Sequence, residues 1–413
     1  MYNKKKWKDI LSITSGKNQR DVEVDDGKYP IYGSGGIIGR SNEFLCPAHT
    51  VLIGRKGTIN SPIYVSEPFW NIDTAFGLIT GNELLPKFLY FFCLFFNFKS
   101  LDKSTGRPSV SKTDLLKIEM PVPSLDEQQR IVARIEELFS ELDKGVETLQ
   151  TIKQQLALYR QAVLKEAFEG NYTASWRKTH ISENPQSDYE SIKRPNETFK
   201  DTSGDENEIA LILPNTWAKI RLGEIFDVQV GATPSRRNPE YWNGDINWVS
   251  SGEVHFNSIY KTKEQITNDG LAHASTNVHP IGTVMLAMIG EGKTRGQAAI
   301  LNTEAAHNQN TAAILVSKTP CSPKYIYYFL QMNYDNTRRV GSGNNQKALN
   351  KERVRALRFP FTSFAEQKVI VEAIESRLSV CDSIEQTVDA ALAQAEALRQ
   401  SILKKAFEGG FSQ

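Results

Sequence analysis

Cysteine is scarce in this chain of 413 residues, and the four cysteines lie far apart, at Cys46, Cys93, Cys321 and Cys381. No CxxC pair occurs, so the spacing argues against a dense disulfide framework or a cysteine zinc site and favours a reducing compartment. The six histidines have no metal-ligand spacing either. We therefore expect this chain to bind no metal.

Long apolar runs are also missing, and the nearest, Phe88–Phe98, is well short of the ~20 residues of a membrane helix. The basic residues 1–7 lead into no apolar segment of a signal peptide. With 40% hydrophobic and 23% charged residues, the composition is that of an ordinary globular protein. We expect a cytoplasmic protein of two or three domains, at ~100–200 residues each, with no membrane partner.

Catalytic motifs are equally sparse. The sequence contains no HExxH, no GxSxG and no Asn/Asp-Pro-Pro-Tyr/Phe motif of an amino-methyltransferase. Residues 33–39 only loosely resemble a dinucleotide fingerprint, and residues 290–294 lack the first glycine and the spacing of a P-loop. These absences favour a binding protein over an enzyme, and we identify no catalytic residue.

The net charge of +1 hides an uneven distribution. Residues 1–120 carry 16 basic against 12 acidic residues, and residues 214–361 carry 17 against 11. The stretches 121–170, 171–213 and 362–413 each have an acidic excess of three. Two basic blocks weakly favour a polyanionic partner, because lysine and arginine neutralise phosphates.

The strongest signal is an internal duplication with an offset of 239 residues. Residues 160–170 read RQAVLKEAFEG and residues 399–409 read RQSILKKAFEG, and residues 121–170 align with 360–409 without a gap. Trp7 with Trp217, and Pro86–Phe92 with Pro323–Phe329, extend the match at shifted offsets. Each half is thus a variable globular block followed by a well-matched helical block.

Both helical blocks show the apolar spacing of a coiled coil. The predicted seam of the first helix comprises Ile135, Leu138, Leu142, Leu149, Ile152, Leu156, Tyr159 and Val163. That of the second comprises Ile374, Cys381, Ile384, Val388, Ala391, Ala395, Leu398 and Ile402. The second seam is rich in alanine where the first has the large side chains of Ile152 and Leu156. Because large side chains could pack against small ones, we prefer pairing of the two helices within one chain. Capping boxes at Ser124–Glu127 and Ser363–Glu366 predict the helix starts, and Gly170 and Gly409 predict the ends.

The polar, acidic composition of segment 171–213 predicts a long surface linker. It would return the chain so that the two helices pair antiparallel and a pseudo-twofold axis relates the halves. Within the globular blocks, short β-type runs and one aromatic helix each (Pro86–Phe98 and Pro323–Tyr334) predict an α+β, or mixed α/β, fold.

Glycine-rich basic loops recur in both globular blocks. They are residues 33–40, 54–58 and 104–109 in the first block and 231–237, 290–296 and 341–347 in the second. Each loop alone could be a solvated turn. Corresponding loops in both copies favour ligand contact, since glycine admits a close ligand and Arg, Lys, Asn and Gln hold phosphates or read base edges.

Taken together, the pattern resembles the DNA-specificity subunit of type I restriction-modification systems. The resemblance is carried by PSLDEQQRIV at 123–132, by the repeated RQ-x-[VI]-LK-x-AFEG motif, by LPNTW at 213–217 and by TASWR at 173–177. It covers essentially the whole chain. It implies target-recognition domains at 1–121 and 214–361, spacer helices at 122–170 and 362–413, and the linker at 171–213 between them.

The resemblance also implies the function. Each domain would read one half of an asymmetric, bipartite site on double-stranded DNA, and the helices would measure the unread spacer. Catalysis would belong to partners: two methyltransferase subunits that use S-adenosylmethionine for adenine methylation, and motor-nuclease restriction subunits that use ATP and Mg²⁺. This chain would bind none of these cofactors.

Candidate site residues follow from loop chemistry and from the repeated helices. The DNA-binding candidates are Arg40, Arg55, Lys56, Arg107 and Ser109 in the first block and Arg236, Arg237, Lys293, Arg295, Asn345, Gln346 and Lys347 in the second. The partner-binding candidates, expected to be exposed, are Gln128, Arg160, Gln161, Lys165, Gln367, Arg399, Gln400 and Lys404.

Two rival hypotheses remain open from the residues alone. One is a coiled-coil scaffold whose two globular ends bind proteins, and it would be favoured if the chain ignored DNA even with its partners present. The other is a self-contained DNA enzyme, which requires a cofactor site that the sequence does not display. Neither explains the duplicated helix motifs as well as the specificity-subunit interpretation does.

Overall fold

The computed structural model describes residues 2–199, 211–290, 292–339 and 349–411. The chain divides into two compact units, one of residues 1–153 and 386–413 and the other of residues 154–385. Each unit therefore combines one globular block with a portion of each long helix. Among the described residues, no helix is both long enough and apolar enough to cross a membrane.

The first globular block is built from short strands and three short helices. The strands are β1 (Lys4–Lys6), β2 (Leu11–Ser15), β3 (Tyr29–Gly33), β4 (Gly36–Ser41), β5 (Thr50–Gly54), β6 (Ile63–Val65), β7 (Trp70–Asn71), β8 (Ala75–Thr80) and β9 (Glu119–Pro121). The helices are α1 (Trp7–Ile10), α2 (Pro86–Phe95) and α3 (Lys112–Leu115). The first long helix, α4 (Leu125–Phe168), follows the block.

The second half repeats this order after two short helices, α5 (Ala174–Thr179) and α6 (Pro185–Ile192). Its strands are β10 (Ala218–Arg221), β11 (Val228–Val230), β12 (Trp242–Val249), β13 (Asn257–Ile259), β14 (Glu264–Ile266), β15 (Val284–Ala287), β16 (Ala298–Leu301), β17 (Ala305–His307), β18 (Thr311–Ile314) and β19 (Arg358–Phe361). Its helices are α7 (Leu222–Ile225), α8 (Asn268–Ala272), α9 (Pro323–Met332), α10 (Tyr334–Arg339), α11 (Lys351–Ala356) and the long α12 (Phe364–Phe407).

Sheet topology shows the same duplication. The first block has sheets ordered β2-β8-β5-β6, β4-β3-β7 and β1-β9, and the second has β11-β18-β15-β16-β13, β14-β12-β17 and β10-β19. In both, a parallel pair (β3 with β7, β12 with β17) sits in the three-stranded sheet. The predicted mixed helix-and-strand fold is confirmed, as are the two aromatic helices, which end slightly earlier than predicted.

Both long helices have 44 residues, and in each unit their segments run antiparallel. In the first unit, Asp143 of α4 pairs with Arg399 of α12, and Lys153 of α4 lies 2.7 Å from Asp389 of α12. The later residue on α4 thus meets the earlier residue on α12, so the two helices run in opposite directions. Ile135 of α4 and Phe407 of α12 belong to the same buried core. The predicted antiparallel coiled coil is confirmed.

The seam departs from the prediction at three positions. Tyr159, Ile384 and Leu398 are 50%, 40% and 47% exposed, whereas Arg160 and Arg399 lie half-buried beside them. At two of the three positions the adjacent arginine takes the buried place, because its guanidinium group reaches a carboxylate on the opposite helix while its stem covers apolar surface. Apolar spacing alone could not distinguish the two adjacent positions.

The helix ends agree with the sequence, but the capping boxes are incomplete. Ser124 and Ser363 accept hydrogen bonds from the backbone N–H groups of Glu127 and Glu366, at 3.4 and 3.2 Å. The Glu366 carboxylate, however, accepts hydrogen bonds from other side chains, among them Thr173, Arg177 and Trp217. After the last helical turn, Gly170 has φ +73° and Gly409 has φ +89°, a conformation that glycine adopts without steric cost.

The segment 171–213 is not an extended surface linker over its described residues. It forms α5 and α6, and its apolar side chains, among them Tyr172, Tyr189 and Ile192, pack against the core of the second unit. The Tyr189 hydroxyl also donates to Glu224 at 2.8 Å. The polar composition of the segment concealed these few apolar anchors.

Candidate nucleic-acid interface

Two of the basic loops of the first block come together in the fold. The loop after β5 and the loop before α3 are joined by backbone hydrogen bonds, from Gly57 N–H to Pro108 O at 2.8 Å and from Val110 N–H to Arg55 O at 3.0 Å. Gly57 has φ +83°, and a Cβ there would lie 2.7 Å from the Arg107 guanidinium. The positive φ favours glycine at this position, whereas the flexible Arg107 side chain could move away from a Cβ.

These loops border an open crevice of about 330 Å³. Its described lining contains no Asp or Glu and consists of Ser15, Arg55, Lys56, Phe76, Ser109, Val110, Ser111 and Lys112. The Arg55 guanidinium lies 5.6 Å from the centroid of the Phe76 ring, and Lys56 is exposed. Such a set of cations and hydroxyl groups is suited to phosphate oxygens.

A carboxylate outside the crevice organises the loop that contains Arg107. Asp102 accepts hydrogen bonds from the Ser104 hydroxyl at 2.7 Å and from the backbone N–H groups of Ser104 and Ser109 at 3.0 and 3.1 Å. The Ser104 and Ser109 bonds lower the pKa of Asp102, because they stabilise its charged form. The loop thereby holds Ser109 beside the crevice and leaves Arg107 exposed.

Arg40 does not join this crevice in the described contacts. It lies on β4, and its guanidinium donates to the backbone oxygens of Gly27 and Lys28, at 2.5 and 3.0 Å. These bonds tie β4 to the chain before β3. Of the five candidates in the first block, the fold thus brings together four: Arg55, Lys56, Arg107 and Ser109. Lys112 also lines the crevice but was not predicted from the sequence.

In the second block, the guanidinium group of Arg236 is paired within the protein, although its side chain is 54% exposed. Both of its Nη atoms donate to the Glu264 carboxylate, and its guanidinium lies 3.8 Å from the centroid of Trp242. The hydrogen bonds to Glu264 raise the pKa of Arg236 and lower that of Glu264. Because its guanidinium group is engaged by Glu264 and Trp242, Arg236 is better suited to supporting the loop; the neighbouring Arg237 is also exposed.

The loop after β15 packs on α10. Arg295 donates to the backbone oxygen of Arg338 at 2.9 Å, and its buried Nε has no hydrogen-bond partner among the described residues. Lys293 is exposed, and its backbone oxygen accepts a hydrogen bond from the Tyr334 hydroxyl. The remaining candidates of this block, Asn345, Gln346 and Lys347, lie outside the described residues.

The expected exposure of Gln128 and Gln367 is wrong, because both are fully buried. Gln128 accepts from Leu85 N–H at 2.8 Å and donates to the backbone oxygens of Glu83 and Pro123. Gln367 repeats the arrangement with the loop that precedes α9, accepting from the backbone N–H of Ser322. A buried amide is used here because it satisfies backbone donors and acceptors of a loop simultaneously.

The other partner candidates divide into two groups. Arg160 and Arg399 form ion pairs between the long helices. The remaining four are exposed near the ends of the same helices: Gln161, Lys165, Gln400 and Lys404. Only this second group matches the expected accessible surface.

Sequence reasoning missed the role of Glu366, which is 2% exposed. Its carboxylate accepts hydrogen bonds from Thr173 and Arg177, both at 2.6 Å, and from the Trp217 indole at 2.9 Å. It thereby joins the segment after α4 and the start of the second block to the start of α12. The repeated Trp and Glu positions were a usable signal, but local spacing suggested only a helix cap.

The fold and its loops thus define an internally duplicated, two-unit protein in which the first unit has a cationic crevice suited to a polyanion. The family model for the type I restriction modification DNA specificity domain matches residues 2–156 and 214–394. This chain belongs to that family.

Relatives agree over most of the chain. The EcoDI specificity subunit of Escherichia coli is 22% identical over 97% of this chain and 86% of its own length, and the EcoBI specificity subunit is 26% identical over 87% and 73%. A chain from a structure on complex assembly and conformational transition of the type I R-M system has TM-score 0.71 and 15% identity, covering 98% of this chain and 97% of its own. The HsdS subunit of Thermoanaerobacter tengcongensis has TM-score 0.52 and 16% identity, with coverages of 99% and 97%. These structural likenesses establish the fold.

Proposed function

We propose that this chain is the DNA-reading, non-catalytic subunit of a type I restriction-modification complex and that it recognises an asymmetric, bipartite site on double-stranded DNA. Each globular block reads one half-site, and the two paired helices set the length of the unread spacer. The chain directs two methyltransferase subunits, which use S-adenosylmethionine, and restriction subunits, which use ATP and Mg²⁺.

One observation carries this proposal: the two blocks share topology but present different loops. The first offers Arg55 and Lys56 in its crevice and Arg107 on the adjoining loop, and the second offers Arg237 and Lys293 on exposed loops. Equivalent domains with different side chains at the contact surface read different sequences, because base identity is distinguished by side chains at base edges. An asymmetric site follows from two unequal readers on one chain.

The test is methylation sequencing of DNA from cells that express this chain with its cognate modification subunit. The expected result is methyladenine in one split, asymmetric motif, which delivers both half-sites and the spacer. Replacing residues 1–121 with the corresponding domain of a relative should then change one half-site and leave the other unchanged.

Cells expressing the modification subunit alone provide the control and should show no such motif. If the assembled, cofactor-supplied complex methylates no split motif, the proposal is wrong and the scaffold hypothesis gains support. A change of both half-sites on the domain exchange would contradict the assignment of one half-site to each block.

A further inference from the structure

The hairpin of β3 and β4 exposes two consecutive isoleucines near its tip. Ile37 is 60% exposed and Ile38 is 49% exposed. Neighbouring residues of a regular strand point to opposite faces, so one of the two would ordinarily face inward. An adjacent pair of exposed branched side chains therefore needs a structural cause.

The cause is a β-bulge in β4. Ile31 pairs with Gly39 and Tyr32 pairs with Ile37, so Ile38 is the extra residue without a partner in the register. Bulges redirect side chains and increase the local twist, and they concentrate beside functional sites. Around the turn, Gly35 and Gly36 have no neighbouring atoms within 4 Å of an added Cβ, so the tip stands clear of the described protein.

The hairpin adjoins the cationic crevice through a short chain of contacts. Ile38 and Ile72 each place a side-chain carbon 3.6 Å from the position of a Cβ on Gly33. The next residue, Asp73, has its backbone oxygen 3.5 Å from Nη1 of Arg55, which lines the crevice. Gly33 and the segment Ile72–Asp73 thus connect the exposed apolar tip to the crevice that contains the cations.

We propose that Ile37 and Ile38 form an apolar wedge that the first block inserts between adjacent base pairs of its half-site. The crevice cations hold the neighbouring backbone while the wedge opens the stack, a combination by which apolar side chains kink duplex DNA. The crevice cations Arg55, Lys56 and Lys112 favour DNA as the occupant over an apolar protein surface, although the Glu23 carboxylate lies against Gly39, the residue after Ile38. This inference rests on the proposed function.

The test uses the assembled complex of this chain with its modification subunit and duplexes that contain its split site. The fluorescent base 2-aminopurine is placed in turn at each position of the half-site read by residues 1–121. The methylated adenine and its neighbours are left out, because a methyltransferase itself flips its target base. The wild-type complex should raise the fluorescence at one step, where the bases unstack.

The variant I37S/I38S should abolish this rise and weaken binding about tenfold, or ~1.4 kcal/mol, while I37L/I38L should retain both. The variant I181S is a matched control, because Ile181 is 86% exposed in the segment after α4, and it should behave as wild type. Thermal unfolding should be the same for all variants, since the substituted side chains are exposed.

Three results would overturn the wedge while leaving the proposed function intact. The first is specific binding by the wild-type complex without unstacking at any step, and the second is unstacking that persists in I37S/I38S. The third is a failure of I37S/I38S to assemble with the modification subunit, which would assign Ile37 and Ile38 to a protein interface. If the wild-type complex recognises no split site by methylation sequencing, the proposed function and the wedge both fail.

Discussion

Arg160 donates a hydrogen bond to Asp382 across the paired long helices at 2.6 Å, within the second unit. Arg399 and Asp143 form the corresponding pair within the first unit. Arg160 and Arg399 are equivalent residues of the two repeats, and so are Asp143 and Asp382. In one pair the arginine belongs to α4, and in the other it belongs to α12. Antiparallel pairing of two equivalent helices produces this exchange, so the duplication seen in the sequence also appears as a repeated side-chain contact.

We expect Arg160→Ala to lower the free energy of unfolding by ~0.5–1 kcal/mol. The loss is modest because Asp382 and Glu385, the two partners of Arg160, are 60% and 38% exposed and solvent screens the pairs. Chemical denaturation followed by circular dichroism measures it, and high salt should shrink the difference. Gln161→Ala, at the exposed next position, should have no effect. Equal losses in the two variants would contradict a role for the ion pairs.

Glu366→Gln should cost about 3 kcal/mol, because it leaves the Arg177 guanidinium partly buried without its counter-ion. Hydrogen–deuterium exchange should increase in residues 171–177, which this carboxylate holds. Glu127→Gln is the matched control at the repeat position. Glu127 bonds to the Tyr2 hydroxyl at 3.2 Å and to the exposed Arg130 at 2.9 Å, so its replacement should cost less than ~1 kcal/mol. Similar costs for the two variants would show that Glu366 is not the anchor described here.

A buried histidine pair should make the second unit sensitive to acid. His307 Nε2 lies 3.0 Å from His279 Nε2, and His307 Nδ1 lies 2.7 Å from the Thr311 hydroxyl. Burial lowers the pKa of His279 to about 4 and that of His307 to about 3, against about 6.5 in an unfolded chain. The unfolded chain therefore takes up protons first as the pH falls. The stability from the neutral pair is present above about pH 6.5 and is lost as the pH falls towards 3–4.

The measurement is the unfolding temperature of the second unit between pH 7 and pH 4, compared among variants. The double variant H279Q/H307Q should show a smaller decrease than wild type over this range. His255→Gln, which changes an exposed histidine of the same unit, should keep the wild-type slope. An unchanged slope in the double variant would assign the acid sensitivity to other groups.

Arg236 and Arg237 should respond differently to substitution. Arg236→Ala removes the bonds to Glu264 and the contact with Trp242, so we expect a loss of about 1 kcal/mol in stability. Arg237→Ala should leave stability unchanged and relax recognition at one base pair by ~1–3 kcal/mol. Thermal unfolding and methylation sequencing of both variants test this. Relaxed recognition with unchanged stability in Arg236→Ala would give Arg236 the base-reading role instead.

Lys56→Ala should weaken DNA binding about equally for all sequences and reduce the slope of log affinity against log salt by ~0.9, as expected for one lost phosphate contact. Binding titrations of the assembled complex at several salt concentrations measure the slope. Lys8→Ala, which changes an exposed lysine of α1 outside the crevice, should leave it unchanged. A loss confined to one sequence would mean that Lys56 contacts a base.

The amino-acid sequence by itself determined the duplication, the two long helices and their limits. Apolar spacing, the serines at 124 and 363 and the glycines at 170 and 409 act within a few residues, so a local pattern specifies them. Sequence also favoured intramolecular pairing, because large side chains of one helix match alanines of the other. Some of the strands, such as β5, β15 and β18, coincide with short apolar runs between turns, whereas β1 (Lys4–Lys6) contains no apolar residue and was not predicted.

Only the tertiary structure decided how individual polar side chains are used. Gln128 and Glu366 occupy helix starts that look solvent-exposed in sequence, yet loops and helices distant along the chain bury them. Arg236 resembles its neighbour Arg237 until Glu264 and Trp242 are brought beside it. Burial and pairing depend on groups that approach only after folding, and the free energy of a charge or amide depends on those neighbours more than on its own identity.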